Sequence, residues 1–244
     1  MGISRRDWLG FAPAVALAAS VPAATPALAD DDFTTTDLAV SCDNPAAPAL
    51  GRAARAYRRQ SGVRVRIFPT AADLLLPQLQ RDIQNDIVLT RVETIDAAEK
   101  LGIVKPGGRV GPWRNRLVLA ETASGDDGRY AVPDPTPASE FDGAAVLKAM
   151  NVTPGKIVGV LDSDAVVWSL LHGQASRGLV FQSDLAAYPA LRAVAPVPDS
   201  AAPAMVYAAT MTTLAYRINP EAFVRFLGSP AGMAELKAGG LEPA

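Results

Sequence analysis

Short apolar runs alternate with helix-like segments along almost the whole of this chain, and that alternation limits its architecture more than any other feature. Short apolar runs are typical of buried strands, and longer segments with apolar residues three and four apart are typical of helices. A strand, a helix and a second strand in succession favour parallel pairing, so the sequence predicts an α/β protein. We expect strands at 37–41, 63–68, 86–89, 116–120, 130–132, 157–161, 178–181, 194–197 and 205–210, and helices at 46–60, 73–81, 94–100, 141–150, 164–172, 220–227 and 230–239.

A turn-rich passage at 105–112 separates two successive α/β blocks, and no long linker lies between them. Two blocks of this kind favour two lobes over one continuous sheet. We expect a first lobe formed by residues 30–115 and 206–244, and a second lobe formed by residues 116–205. Ligands of open α/β sheets bind beyond the carboxyl ends of the strands, so the functional residues should lie in those loops.

The first residues have the pattern of an export signal. Arg5 and Arg6 form a twin-arginine pair, an uncharged stretch follows, and 27–29 reads Ala-Leu-Ala, which fits a cleavage site. Three prolines interrupt the uncharged stretch, so a stable membrane-spanning helix is not expected. We expect residues 1–29 to be a twin-arginine signal peptide that directs an already folded protein to the periplasm.

Composition excludes several classes of function. A net charge of −2 argues against a nucleic-acid-binding protein, which needs a basic face. A single Cys and a single His exclude a disulfide framework, a cysteine-based zinc site and a site with several histidines. The chain also lacks a G-x-S-x-G motif. We therefore expect no enzyme activity and no cofactor.

The loops that follow the predicted strands are rich in hydroxyl and carboxylate side chains. Each such residue, taken alone, is better explained as a helix N-cap. Six such loops at one edge nevertheless favour a shared binding role. The candidate ligand-binding residues are Ser41, Cys42, Asp43, Asn44, Thr70, Asp73, Thr90, Arg91, Asp134, Ser163, Asp164 and Phe181.

Five stretches, at 38–41, 53–68, 85–90, 130–135 and 177–184, resemble periplasmic solute-binding proteins in their order and spacing. The chain is most similar to the molybdate-binding protein family of ABC importers. This resemblance implies a type II periplasmic binding protein: two Rossmann-like lobes with mixed, mostly parallel sheets, joined by two crossing strands. The lobes would close over a small solute by hinge motion.

The binding loops depart from the family pattern. The family holds a tetrahedral oxyanion with serine hydroxyls and a tyrosine, and the matching positions here fall near Pro45, at Ala71 or Ala72, and at Phe181. Carboxylates lie nearby instead, and each would repel a bound oxyanion by about 1–4 kcal/mol at 4 Å unless Arg91 compensated. The loops therefore predict an altered ligand, such as an amine or a metal cation. The candidate metal ligands are Asp43, Asp73 and Asp164.

Two functions follow from these patterns. The first is a monomeric solute-binding protein that captures a small molecule or ion and delivers it to an ABC transporter permease. The second is an accessory protein that keeps the same fold and docks on a periplasmic partner enzyme. Cys42 is more typical of a small buried side chain than of a metal ligand, and Trp168 is expected in the core.

Overall fold

A computed structural model describes residues 37–81, 85–136, 139–215, 217 and 219–244. These residues belong to one compact unit. The predicted signal peptide, residues 1–29, lies outside the described residues. No helix in the described ranges is long and apolar enough to cross a membrane.

The described chain alternates strands and helices, as the sequence predicts. The strands are β1 (Leu38–Asp43), β2 (Val65–Thr70), β3 (Ile87–Arg91), β4 (Val110–Asn115), β5 (Leu117–Thr122), β6 (Arg129–Pro133), β7 (Lys156–Val160), β8 (Arg177–Phe181), β9 (Leu191–Pro196), β10 (Met205–Met211) and β11 (Glu242–Pro243). The helices are α1 (Ala47–Ser61), α2 (Ala72–Gln80), α3 (Val92–Lys100), α4 (Gly143–Ala149), α5 (Ser163–Leu171), α6 (Gln182–Ala187), α7 (Pro220–Gly228) and α8 (Pro230–Ala238), with a 3-10 turn, Asn44–Ala46, before α1.

The strands form two mixed sheets. The first has six strands in the order β11-β4-β10-β3-β1-β2, and the second has five in the order β7-β6-β8-β5-β9. Strand β1 pairs in parallel with β2 and β3, and β6 pairs in parallel with β7 and β8. The remaining pairings within the described residues are antiparallel, and they involve the strands that lead into or out of each sheet. Parallel pairing is thus confined to the strand–helix–strand units.

The chain passes between the sheets at two places. Strand β4 ends the first sheet at Asn115, and β5 begins the second at Leu117, so that one residue, Arg116, joins them. The return runs from the end of β9 at Pro196 to the start of β10 at Met205. The two α/β lobes therefore meet at these crossings. The boundaries predicted for the two lobes stay a prediction.

The sequence prediction of a turn-rich passage at 105–112 is wrong from Val110 onward, where β4 begins. Strand β4 lies between β10 and β11, and its Trp113 is buried. Pairing on both sides stabilises an extended chain there despite local glycine and proline, because tertiary contacts override weak local propensity. The prediction also missed the short helix α6 after β8.

Each sheet packs its apolar face against helices. Leu38, Leu50 and Phe223 belong to the main core of the first sheet, where β1, α1 and α7 meet. Leu119 and Val132 belong to a core on one face of the second sheet. Two helices that pack on the second sheet begin at a side-chain cap: Asp142 accepts a hydrogen bond from the Ala145 N–H before α4, and Asp162 does the same for Ala165 before α5.

A fully buried ion pair stabilises the first sheet. Asp86, which directly precedes β3, accepts a hydrogen bond from the Ala39 N–H at 2.9 Å and pairs with the Arg217 guanidinium at 3.1 Å. The Asp86 side chain is 0% exposed and that of Arg217 is 2% exposed. Removing the Asp86 carboxylate would take an ion-pair partner away from a buried guanidinium, which is costly.

We expect Asp86→Ala to lower the free energy of unfolding by about 3–5 kcal/mol, because the buried Arg217 guanidinium would lose this carboxylate and the Ala39 N–H would lose its acceptor. The matched control is Glu221→Ala, which breaks the ion pair with Arg225, where both side chains are 63% exposed. That exposed pair should contribute less than about 1 kcal/mol. Urea denaturation followed by circular dichroism measures both. Equal losses in the two variants would contradict the role given to Asp86.

Candidate ligand-binding site

A buried network of hydrogen bonds centred on Asn115 holds the carboxyl ends of β1 and β8 together. The Pro45 carbonyl accepts hydrogen bonds from the Ser183 hydroxyl at 2.6 Å and from the Asn115 side-chain amide at 3.1 Å. The same amide donates to the Ser183 hydroxyl at 2.9 Å. Gly240 packs directly on this network, because a Cβ atom there would lie 2.5 Å from the Ser183 nitrogen. We call these contacts the Asn115 network.

A cavity of about 360 Å³ lies beside the Asn115 network, between the two sheets. Its volume suits a small molecule. It is lined by Asn44, Ala47, Pro48 and Pro69 from the side of the first sheet, and by Asp164, Val167, Trp168, Leu171, Asp184 and Tyr188 from the side of the second.

One face of α5 forms a wall of this cavity. Asp164, Val167, Trp168 and Leu171 are spaced three and four residues apart, so they share that face. Trp168 is 51% exposed, which overturns its predicted place in the core. Its ring stacks on His172, with the ring centroids 4.2 Å apart, so its orientation is fixed from one side.

Two carboxyl groups in the cavity have raised pKa values. Asp184 is 3% exposed, and burial, with the charges of Asp164 and Glu140 adding to it, raises its pKa to about 8, against the opposing hydrogen bond from the Phe181 N–H. Asp164 is exposed at the cavity wall, yet the surrounding protein atoms raise its pKa too. A bound cation would favour the ionised form of both groups.

A second polar group lies at the end of β1. Asp43 is 1% exposed and accepts a hydrogen bond from the Thr90 hydroxyl at 2.8 Å. Its other oxygen lies 3.5 Å from Arg91 Nε, and neither of these two atoms has a hydrogen-bond partner in the described part of the chain. Burial raises the pKa of Asp43 to about 6, because its effect is larger than those of the Thr90 hydrogen bond and the Arg91 charge, which lower the pKa.

Cys42 is fully buried next to Asp43, and burial raises the pKa of its thiol, with the charges of Asp43 and Asp164 adding to the effect. Asp164 belongs to the second lobe, so its influence on Cys42 indicates that the two strand ends are close. The thiol stays protonated at neutral pH, which makes it a poor metal ligand.

Other predicted site residues do not line the 360 Å³ cavity. Asp73 is exposed in the first turn of α2, and Asp134 is exposed after β6, where its carboxylate lies over Gly159. Thr70 is buried, and its hydroxyl donates to Gln78 at 3.1 Å. These residues serve local structure in this arrangement.

Three further predicted residues are buried. Ser41 lies inside β1, and the Phe181 ring, 1% exposed, packs edge-on against Phe141 in the core of the second lobe. Ser163 begins α5 and donates from both its N–H and its hydroxyl to Glu140. The position where the family has a tyrosine thus serves packing here.

The predicted metal ligands do not form one site. Asp43 is buried at the end of β1, Asp164 lies at the cavity wall, and Asp73 is exposed on α2. Among the residues that the structure describes, no group of three or more His, Cys, Asp or Glu side chains is placed to hold a metal ion.

The sequence prediction missed Glu140, Asp184 and Tyr188. Asp184 lies within the stretch 177–184 that resembles the family, so a sequence signal for it was present at the end of β8. The i, i+3, i+4, i+7 spacing from Asp164 could have identified Trp168 as a cavity residue. Glu140 carries no comparable signal, since it lies in a loop seven residues beyond β6.

A second cavity of about 470 Å³ opens on the other side of Tyr188. Its charged side chains, Arg52 and Arg55, are basic, and Arg52 pairs with Glu235 at 3.5 Å. None of the predicted site residues lines it. The 360 Å³ cavity is therefore the one that agrees with the rule for strand ends in α/β sheets.

Residues 38–242 match the family model of bacterial extracellular solute-binding proteins. The chain belongs to this family. The match spans both sheets and all the strand ends described above, so the family covers the cavity as well as the fold. No curated protein sequence matches the chain.

Solved structures share the fold at low sequence identity. The periplasmic molybdate-binding protein of Azotobacter vinelandii is 17% identical, with a TM-score of 0.69 over 85% of this chain and 99% of that one. The substrate-binding domain of a putative molybdenum ABC transporter from Clostridium difficile gives a TM-score of 0.66 at 17% identity, with the same coverage of 85% and 99%. The sulfate-binding protein of Mycobacterium tuberculosis gives 0.63 at 13% identity, over 86% of this chain and 87% of that one.

These relatives confirm the predicted fold class, that of type II periplasmic binding proteins, and the resemblance to molybdate binders. The family and the neighbours are named as binding proteins rather than enzymes. Sequence identities of 13–17% support a shared fold but not a shared ligand, so the ligand must be argued from this chain's own residues.

The raised pKa of Asp184, about 8, predicts how stability depends on pH. Between the unfolded carboxyl pKa near 4 and this folded value, the folded state holds a proton that the unfolded state has lost. Wild-type stability should therefore fall as pH rises from 4 to 8. Asp184→Asn, which keeps an acceptor for the Phe181 N–H, should be more stable than the wild type at pH 8 by about 1 kcal/mol or more.

Thermal unfolding at pH 4, 6 and 8 measures this difference. Glu221→Gln is the control, because Glu221 is 63% exposed and does not line the cavity. An Asp184→Asn variant that loses stability equally at every pH would contradict the raised pKa and would show that the fold needs the ionised carboxylate.

Proposed function

We propose that this protein captures a small organic cation in the 360 Å³ cavity and delivers it to an ABC importer. It would reach the periplasm by the twin-arginine route. The supporting observation is the composition of the cavity wall: two carboxylates, Asp164 and Asp184, together with the aromatic rings of Trp168 and Tyr188. Aromatic faces and carboxylates are the groups that recognise alkylammonium ions.

The charge in the cavity opposes an oxyanion. Asp164 and Asp184 are the ionisable side chains with an acidic group among its described lining residues, and their raised pKa values mean that a bound cation, or a higher pH, favours their charged forms. Arg91, the cation near the end of β1, is already paired with Asp43. Each ionised carboxylate within about 4 Å would cost an oxyanion roughly 1–4 kcal/mol.

A metal ion is also a poor match. Hard cations need several oxygen ligands converging within about 2.6 Å. The described carboxylates include no group of three that converges in this way. An amine needs only one or two carboxylates and an apolar wall, which Trp168, Val167 and Leu171 supply.

Binding would favour the arrangement in which the lobes are closed. The cavity takes wall residues from both sheets, so a ligand there contacts both lobes at once. A ligand shifts such an equilibrium only through its difference in affinity for the two arrangements. In this proposal the lobes comprise residues 30–115 with 206–244, and residues 116–205, and Arg116 and 197–204 act as hinges.

We expect putrescine or choline to raise the melting temperature, with about 2.7 kcal/mol of added stability at 100 times the dissociation constant. Affinity should increase from pH 5.5 to pH 8, because protons compete with the cation for Asp164, Asp184, Asp43 and Glu140, whose pKa values are all raised. Isothermal titration calorimetry at the two pH values measures this trend. An oxyanion ligand would show the opposite trend.

Trp168→Leu keeps an apolar wall but removes the aromatic face, so we expect a several-fold loss of affinity for the cation. Asp164→Asn should cost about tenfold. Glu221→Gln, at an exposed position on α7 that does not line the cavity, should leave affinity unchanged. Absence of any thermal shift with amines, together with a periplasmic protein that co-purifies, would favour the docking function instead.

A further inference from the structure

The first turn of α5 holds the donors that would suit an anion. Ser163 is 1% exposed, and it directly precedes Asp164 in the cavity wall. A helix N-terminus that presents free N–H groups and a hydroxyl is a common oxyanion site, because the donors and the helix dipole act together.

In this chain those donors are already occupied. The Ser163 N–H donates to one Glu140 oxygen at 3.3 Å, and the Ser163 hydroxyl donates to the other at 3.1 Å. The Ala165 N–H donates to the Asp162 carboxylate at 2.9 Å, and the Val166 N–H donates to the Asp162 carbonyl at 3.2 Å. The first turn therefore bonds almost entirely to oxygens of its own chain.

The Glu140 carboxylate occupies both Ser163 donors, beside the cavity-wall residue Asp164, that an oxyanion at this helix N-terminus would use. It contacts two donors of one residue with two oxygens, which is how a tetrahedral anion would bridge them. Because Glu140 is covalently part of the chain, its effective concentration at the site far exceeds that of a free anion.

We propose that Glu140 is the specificity-determining residue that excludes oxyanions from the cleft, by occupying the Ser163 donors with an internal carboxylate. The inference uses the cleft described under the proposed function but does not depend on which cation binds there. It names a residue whose removal should change the class of ligand.

Two observations support a role in the cleft rather than a purely local one. The charge of Glu140 raises the pKa of Asp184 in the cavity and that of Tyr207 on β10, so it acts on residues of both lobes. Burial also raises the pKa of Glu140 itself, so its surroundings do not fully compensate its charge. A side chain whose only role was to anchor its loop would not need this buried and partly uncompensated charge.

The test compares Glu140→Gln and Glu140→Ala with the wild type by calorimetric titration with molybdate and with sulfate. The glutamine variant keeps an acceptor for Ser163 but removes the charge, and the alanine variant also frees both donors. Relief of one like charge near 4 Å predicts a gain of roughly tenfold to several hundredfold in anion affinity. We expect a gain in both variants, larger for alanine.

Asp142→Ala is the matched control. It removes the same charge two residues away, from a carboxylate that is exposed and accepts from the Ala145 N–H at α4 instead. It should gain no anion affinity. Circular dichroism and the melting temperature show whether each variant is folded, and a misfolded alanine variant leaves the glutamine comparison intact.

Three results would overturn the inference: wild type that binds molybdate or sulfate with micromolar affinity, folded Glu140 variants with no gain for either anion, or an equal gain in Asp142→Ala. The outcome is separable from that of the proposed function. A Glu140 variant that gains anion binding, in a protein that ignores putrescine and choline, would support the role of Glu140 while contradicting the organic cation.

Discussion

One amide side chain determines how the two sheets face each other. Asn115 lies at the end of the crossing strand β4, is 0% exposed, and bonds both to Pro45 after β1 and to Ser183 in α6. A buried amide of this kind must satisfy its donors locally, so it allows few alternative arrangements of the two strand ends. The cavity exists because these ends meet there. Any opening of the lobes must either break these bonds or rotate about them.

Desolvation raises the pKa values of the carboxyl groups in the cleft and so controls whether they are charged. Asp43, Asp184 and Glu140 have raised pKa values chiefly because protein atoms replace water around them, and the Arg91 guanidinium beside Asp43 only partly opposes this effect. Solute-binding relatives with this fold bind molybdate or sulfate, according to their names. A shared fold does not imply a shared ligand, so in our proposal the few side chains at the strand ends determine the charge of the ligand.

Local periodicity explains what could be predicted. Strands such as Leu38–Asp43 could be predicted, because a fully buried strand appears in the sequence as a short run of mostly apolar neighbours. The sequence pattern did not predict strand β4, because its extended form depends on pairing with β10 and β11, which lie about a hundred residues away in sequence. Asn44 and Asp164 line the cavity, and their positions after strands made them candidates in the sequence. Trp168 was predicted in the core instead, because the sequence pattern of an apolar residue on a helix is the same whether it faces a core or a cavity.

The two tryptophans of the described chain differ sharply in environment. Trp113 is 1% exposed in the first-sheet core, whereas Trp168 is 51% exposed at the cavity wall and stacked on His172. Indole emission shifts to longer wavelength as the ring meets water, so the long-wavelength part of the spectrum should belong to Trp168 and the short-wavelength part to Trp113. The protein thereby carries its own optical reporter of cavity occupancy, with an internal reference that a ligand does not touch.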